Sequence, residues 1–405
     1  MKPPLNVETV CKDNKNNVFK PCFLPENLDL EQLYATTPPN FEFHRDNAIY
    51  ILNLINEIPA DNKKIIITNR YTPIASKILR NKIGNYKAYL NYFIKYKIIK
   101  CDNKYIVNEK SLGYRFTDRY NTKILVTYIY KKALIKEYTS EQPTPLYLSK
   151  WFNEKLTTDY NGAMTDINKN YKREQLKNNS YSISIWKIHN QQYRHSIDNT
   201  SYRLHTNLTN LPSKLRHFIA YDNTRLVAID ISNSQPFFST LLCRGKIGQG
   251  NGLPEDVKLY IDLVVRGVFY EYYSSHCKEK LNIIFKFRKD IKDSFFSVIY
   301  GDDNHVTNTK ELFKELFPSV YSKFHSIKTP NYKELPIRLQ TIESNVILNV
   351  ICKRIADEMP HLPIFTIHDS IVTTQGNENY IEAVMKEELI KLTGLIPTLK
   401  TENWF

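Results

Sequence analysis

Residues 225–237 read RLVAIDISNSQPF. An apolar run, Leu226-Val227-Ala228-Ile229, leads to a carboxylate at Asp230. Ser232, Asn233 and Ser234 then open a turn ahead of Gln235, Pro236 and Phe237. A short apolar run bounded by turn formers reads as a buried strand. The pattern predicts a strand whose end projects Asp230 into a cleft, followed by a helix.

Two further segments share this chemistry. Arg288, Lys292, Phe296 and Tyr300 recur every four residues, so they line one face of a helix. Two cations followed by two rings on one face suit a triphosphate at one end and a base at the other. Residues 363–373, PIFTIHDSIVT, read as a β-hairpin with His368 and Asp369 at its tip. Two carboxylates at strand ends repel unless a cation lies between them, so paired Mg²⁺ ions, with Mn²⁺ able to stand in, are their natural companions.

These three segments resemble motifs A, B and C of family A DNA polymerases and of the related single-subunit, phage-type RNA polymerases. Residues 202–212, YRLHTNLTNLP, resemble the arginine-containing motif that precedes motif A and grips the primer–template minor groove. The matches span residues 200–375, about half the chain. The resemblance implies an α+β, right-hand polymerase core over 150–405, with a palm sheet, a thumb-like helical region before 200 and fingers at about 245–335. It implies Asp230 and Asp369 as metal ligands, assisted by the Ile231 carbonyl, and Lys292 beside them in catalysis. Arg288 would hold the triphosphate. Phe296, Tyr300, Gln235 and Ser232 would face the nucleotide, and Arg203, Asn210, His368 and Gln340 the nucleic acid. The implied activity is extension of a primer 3′ end on a DNA template from nucleoside triphosphates, without a proofreading exonuclease.

The pattern departs from the DNA enzymes at two places. They carry Glu five residues after the first aspartate, where this chain has Gln235, and usually Glu after His-Asp, where it has Ser370. Both resemble the RNA enzymes, whereas Phe296 and the Arg203 segment resemble the DNA enzymes. A DNA polymerase is the expectation. RNA or primase-like synthesis, on an RNA or a DNA template, is one alternative, and a non-catalytic replication factor another. Gln235 is expected to loosen sugar selection, and Gln235→Glu to sharpen it.

The N-terminal third reads differently. Residues 1–42 suggest an irregular arm. Ile49, Ile51, Leu52 and Ile55 mark a helix over 43–58, and Thr72 and Pro73 open another over 73–80. Tyr86, Leu90, Phe93, Ile94 and Ile98 mark a third, with Lys87, Lys95 and Lys97 largely off its apolar stripe. Strand-like pieces at 98–101 and 105–107 follow. Three helices and a basic hairpin look like a winged helix-turn-helix over 43–138, suited to nucleic acid or to protein docking. The polar, proline-bearing stretch 139–149 suggests a boundary, and 151–188 reads mainly helical.

Composition agrees with a polyanionic partner. Among 405 residues, 56 Lys+Arg against 42 Asp+Glu leave a net charge of +14. Six cysteines in no metal-site or disulfide spacing suggest reduced thiols. No apolar run is long enough to cross a membrane, and the expected location is the cytoplasm of a bacterial or phage-infected cell. Three motifs carry nothing further at this level. Asp29 and Glu31 lack the other acids of an exonuclease. The glycines at 248, 250 and 252 lack the Lys-Ser/Thr of a phosphate loop. Residues 300–303, YGDD, lack the apolar strand that follows this motif in RNA-dependent polymerases.

Overall fold

The computed structural model describes residues 7–8, 11–12, 18–62, 71–106, 110–135, 143–244 and 252–405. The chain forms two compact units, each mixing helix and sheet. One comprises residues 1–141, 152–196 and 205–223, the other 142–151, 197–204 and 224–405.

In the first unit, strand β1 (Val18–Pro25) pairs antiparallel with β4 (Ile124–Ile129), and a short helix covers Leu30–Thr36. Much of the segment expected to be an irregular arm is therefore regular. Helix α1 (Arg45–Asp61) explains part of this. Its buried Asn53 accepts from the Phe23 N–H at 2.7 Å, and Asn56 donates to the Phe23 carbonyl at 3.0 Å, so the backbone of β1 is satisfied from the helix. Asp29 caps the short helix, accepting from Gln32 N at 2.9 Å, and Glu31 pairs with Arg45 at 3.2 Å. Both acids of the D-x-E pair thus have local structural partners.

After α1 come α2 (Ser76–Lys82), α3 (Tyr86–Lys95), β2 (Ile99–Cys101) and β3 (Gly113–Phe116). Thr72 and Pro73 do not open α2. They pair with Tyr114 and Gly113, and the Thr72 hydroxyl donates to the Ile55 carbonyl at 2.9 Å, so sheet pairing overrides their capping preference. The partner of β2 is β3, Ile99 facing Phe116, and not the 105–107 piece. Ile106 makes only an isolated bridge to Lys110, and 107–109 lie outside the described residues. The Asp102 carboxylate closes this turn, accepting from Gly113 N at 2.9 Å and from Lys110 at 2.9 Å. A Cβ at Gly113 would lie 2.8 Å from that carboxylate, so only glycine fits. Helix α4 (Gln175–His189) brings buried Lys187 onto Glu57 of α1 at 3.0 Å. Strand Leu156–Thr158 interrupts the stretch expected to be mainly helical.

In the second unit, β5 (Thr224–Ile231) is the central strand, with Leu226–Ile229 fully buried. Helix α5 (Ser234–Cys243) follows it, then α6 (Glu255–Val265), α7 (Phe269–Leu281), α8 (Arg288–Tyr300), α9 (Asn308–Leu316), α10 (Pro318–Lys328) and α11 (Glu334–Ser344). A π-helical segment, Asn345–Ile351, and α12 (Cys352–Glu358) continue α11. Hairpin strands β6 (Ile364–Ile367) and β7 (Ser370–Thr374), helix α13 (Glu378–Thr393) and strand β8 (Leu399–Asn403) complete the unit. Strand β5 pairs antiparallel with β7 on one side, Ala228 facing Val372, and with β8 on the other, Ala228 facing Glu402.

The helices α6–α10 gather around aromatic side chains. Phe269 and Phe295 lie 4.7 Å apart, Phe295 and Phe313 5.5 Å, and Phe313 and Phe317 5.3 Å between ring centroids. Each fully buried ring contributes ~1.5–3 kcal/mol, so much of the aromatic content belongs to the core. Cys243 and Cys277 are packing thiols, and burial pushes them up to about 12 and about 11. The boundary expected at 139–149 lies partly outside the described residues, and 146–149 form a short helix with Leu148 in the second unit's core. Gly248 and Gly250 also lie outside them. Among the described residues, no helix is long and apolar enough to cross a membrane.

Candidate active site

Local backbone chemistry presents the two carboxylates. Strand β5 ends at Ile231, and Asn233 adopts a left-handed conformation, φ 57°, which turns the chain into α5. Asparagine tolerates that region better than most residues. Hairpin β6–β7 closes through His368 and Asp369, with Ile367 facing Ser370 and His368 at φ 56°. A histidine there costs of order 1 kcal/mol, and such strain clusters at functional sites. In the register, Asp230 faces Ser370, so the two aspartates sit side by side at one end of the sheet.

Burial and nearby acids act on both groups. Burial raises the Asp230 carboxyl above its usual 3.8, against the pull of Lys292, with Glu402 and Glu343 adding to the rise. Burial also pushes Asp369 well above 3.8, helped by Glu343 and Asp230. Both carboxylates are thus held closer to neutrality than an exposed aspartate.

Helix α8 supplies the opposite wall. The Asp290 carboxylate accepts from Phe287 N at 3.1 Å and caps its start. Gly301 ends it where a Cβ would lie 2.5 Å from the Ser297 carbonyl. Phe295, Val298 and Ile299 are buried, which leaves Arg288, Lys292, Phe296 and Tyr300 on the other side, as their spacing requires. A cleft is lined by Asp230, Ile231, Ser232, Asn233, Gln235, Asp369, Arg288, Lys292 and Phe296, together with Tyr270 and Lys400. Tyr270 lies beneath both cations, with Lys292 Nζ 5.7 Å and the Arg288 guanidinium 5.8 Å from its ring. Arg288 also meets Glu271 at 3.3 Å. The Ser232 hydroxyl and the Asn233 amide are buried in the cleft wall without a protein partner.

Tyr300 connects to a buried acid that no sequence motif marks. Its hydroxyl accepts from Gln340 at 3.1 Å and donates to Gln235 at 3.4 Å. Gln235 donates in turn to Glu343 at 2.6 Å. Glu343 is 1% exposed and also accepts from Ser234 at 2.6 Å and from Arg203, through Nε at 3.1 Å and through Nη2. Arg203 thus has an internal anionic partner, and Gln340 reaches the Tyr300 hydroxyl.

Asn210 belongs to the first unit, where its amide bridges the Asp61 carbonyl, at 3.3 Å, and Arg194, at 2.7 Å. Motif spacing could not supply Tyr270 and Lys400, which line the cleft, or the buried Glu343 that holds Gln235. Lys400 faces Asp230 across the β5–β8 ladder. The alternation of apolar and polar residues near 399–403 is the one local signal for it.

The acids of the YGDD stretch are engaged elsewhere. Asp302 accepts from Asn304 N at 2.9 Å. Asp303 binds Lys328 at 2.5 Å, His325 at 2.8 Å and Lys310 at 3.1 Å.

No family model matches the chain, and no curated protein matches it. Among solved structures it is similar to the POL domain of Pol1 from M. smegmatis, in complex with DNA primer-template and dNTP. The TM-score is 0.43 at 13% identity, over 61% of this chain. The match spans 56% of that chain.

Proposed function

We propose that the chain is a template-directed nucleotidyltransferase, a family A-like DNA polymerase that extends a primer 3′ end. The observation that carries this reading is the cleft in which Asp230 and Asp369 lie with Arg288 and Lys292. The sheet around β5 would be the palm, the helices between 252 and 335 the fingers, and the helices before 200 thumb-like.

Asp230 and Asp369 fit Mg²⁺. They offer hard oxygens, and both carboxyls are raised first by burial and then by neighbouring acids, so a cation beside them would be favoured. Mg²⁺ commonly takes one or two carboxylates plus substrate phosphates, and two carboxylates are what this pair offers. Two such ions, with the Ile231 carbonyl assisting, would supply Lewis-acid stabilisation of the attacking and leaving oxygens. Lys292 and Arg288 would neutralise charge on the triphosphate and pyrophosphate. Phe296 and Tyr300 would pack near the incoming sugar and base, with Gln340 holding Tyr300, while Ser232 would face the nucleotide. His368 would approach the primer end, and Arg203 and Asn210 the duplex side. The deciding experiment extends a primed template with dNTPs and NTPs separately, with and without Mg²⁺. Extension with dNTPs that stops in EDTA is expected. Preference for NTPs would favour the RNA-synthesis reading, which rests on Gln235 and Ser370, and duplex binding without extension would leave a binding factor.

Metal binding has a readout besides turnover. Both aspartates have folded-state pKa values raised above 3.8. Between 3.8 and those values the folded state holds more protons than the unfolded one, so metal-free stability falls as pH rises through that window. Mg²⁺ offsets the penalty. The Mg²⁺-dependent rise in Tm should be small near pH 4 and largest near pH 8. An equal rise at both would remove the aspartates from the metal site.

For residues 43–138 we propose a winged helix-turn-helix that contacts nucleic acid. Supporting this are the order α1, the Thr72–Pro73 strand, α2, α3, β2, β3 and the single sheet that the three strands form. Lys87, Asn91 and Lys95 form an exposed stripe on α3, and Lys104 is exposed in the turn after β2. Reversing Lys87, Lys95 and Lys104 to Glu should weaken binding. The logarithmic salt slope should also flatten, by ~0.9 for each phosphate that is no longer neutralised. An unchanged slope would favour protein docking.

A further inference from the structure

The expectation that Gln235→Glu sharpens sugar selection reverses once its partners are known. The buried Gln235 amide works in two directions. Its NH₂ donates to Glu343 at 2.6 Å, and its carbonyl oxygen accepts from the Tyr300 hydroxyl at 3.4 Å. A carboxylate is an acceptor only, so the NH₂ side must face Glu343 and the carbonyl must face Tyr300. Glu343 takes the opposing charge of Arg203 and a hydrogen bond from Ser234. The anion that orders this chain of interactions therefore sits on α11, one hydrogen bond removed from position 235.

We infer that Glu343 is a positioning residue for sugar selection, acting on Tyr300 through the Gln235 amide, so that positions 235 and 343 form one element that needs one amide and one carboxylate. The inference rests on the polymerase reading. A glutamate at 235 would face Glu343 in a site where both side chains are buried. Two carboxylates in contact cannot both stay ionised there, and one must protonate or withdraw. Withdrawal frees the Tyr300 hydroxyl, and protonation keeps both hydrogen bonds only by holding the new acid neutral far above its ordinary pKa of ~4.3. A glutamine at 343 leaves Arg203 without its anion and sets two amides face to face. Exchanging both residues restores one carboxylate and one amide, now with the charge beside Tyr300.

The test compares wild type, Gln235→Glu, Glu343→Gln and the double exchange. The readouts are the ratio of kcat/KM for dATP to that for ATP on one primed template, and the thermal midpoint of each protein. Each single substitution should lower the ratio at least about tenfold, and the double should recover about tenfold over Gln235→Glu, since touching residues couple. The midpoint of the double should exceed the sum of the single shifts. An active wild type whose single effects simply multiply in the double overturns the pairing. So does a Gln235→Glu enzyme that discriminates better than wild type. A wild type that incorporates neither nucleotide overturns the polymerase reading and sugar selection with it, while the midpoints of the four proteins still report whether the buried pair exists.

Discussion

Asp230→Asn and Asp369→Asn should each lower nucleotide incorporation by about 1,000-fold or more while leaving duplex binding in place. Metal stabilisation of a developing charge is worth several kcal/mol, and ~4 kcal/mol is about three decades in rate. The same substitutions should not destabilise the fold. Burial raises both carboxyls, with Glu402 and Glu343 adding at Asp230 and Glu343 and Asp230 at Asp369, so replacing either acid with a neutral amide removes a charge that is costly to bury there. Metal-free Tm at pH 8 should therefore hold or rise in both variants. Primer-extension rates and Tm measured on the same preparations check this. Near-normal turnover with Mg²⁺ in either variant would end the two-metal assignment.

Asp303→Ala should have the opposite signature, with a large loss of stability. Lys310 and Lys328 have side chains 2% exposed, and both pair with this one carboxylate. Removing it leaves two buried ammonium groups facing each other, and breaking a buried pair in this way costs ~3–5 kcal/mol. Burial acts to raise the Asp303 carboxyl, but hydrogen bonds from Lys328, His325 and Lys310 outweigh it and hold the group below 3.8. Its contribution is thus present above the unfolded value and is lost as pH falls through the folded one. Urea unfolding of the variant at neutral pH measures the loss. A variant of unchanged stability but abolished incorporation would return YGDD to the chemistry.

What can be read from the sequence follows from the range of the interaction. The face shared by Arg288, Lys292, Phe296 and Tyr300 is fixed by helix geometry alone, and α8 presents it. The apolar runs before Asp230 and Asp369 mark them as strand-end residues, and the register of β5 and β7 brings them together. Glu343 is not legible, because its donors Arg203, Ser234 and Gln235 are all more than a hundred residues away in the chain. Tyr270 and Lys400 reach the cleft through helix packing and strand pairing, which leave no strong local pattern. Thr72 and Pro73 carry a true capping signal that pairing with β3 overrides. Position 235 shows the same limit in its chemistry. The residue type is plain in the sequence, but the sign of its substitution depends on a neighbour that only the fold supplies.

The placement of β5 also orders the events of folding. Its two ladder partners in this unit, β7 and β8, lie beyond all of α5–α11 in the chain. As the chain is synthesised, the strand bearing Asp230 emerges with both these edges bare, while the helices after it can form from local interactions. The entropy of closing that long loop must be met before any β5–β7 or β5–β8 hydrogen bond offsets it, so closure of these two ladders is expected to be slow. Until then an apolar strand with open edges is exposed to pairing with other chains. The two aspartates become neighbours only at that step, so the cleft they line exists only in chains whose sheet has closed.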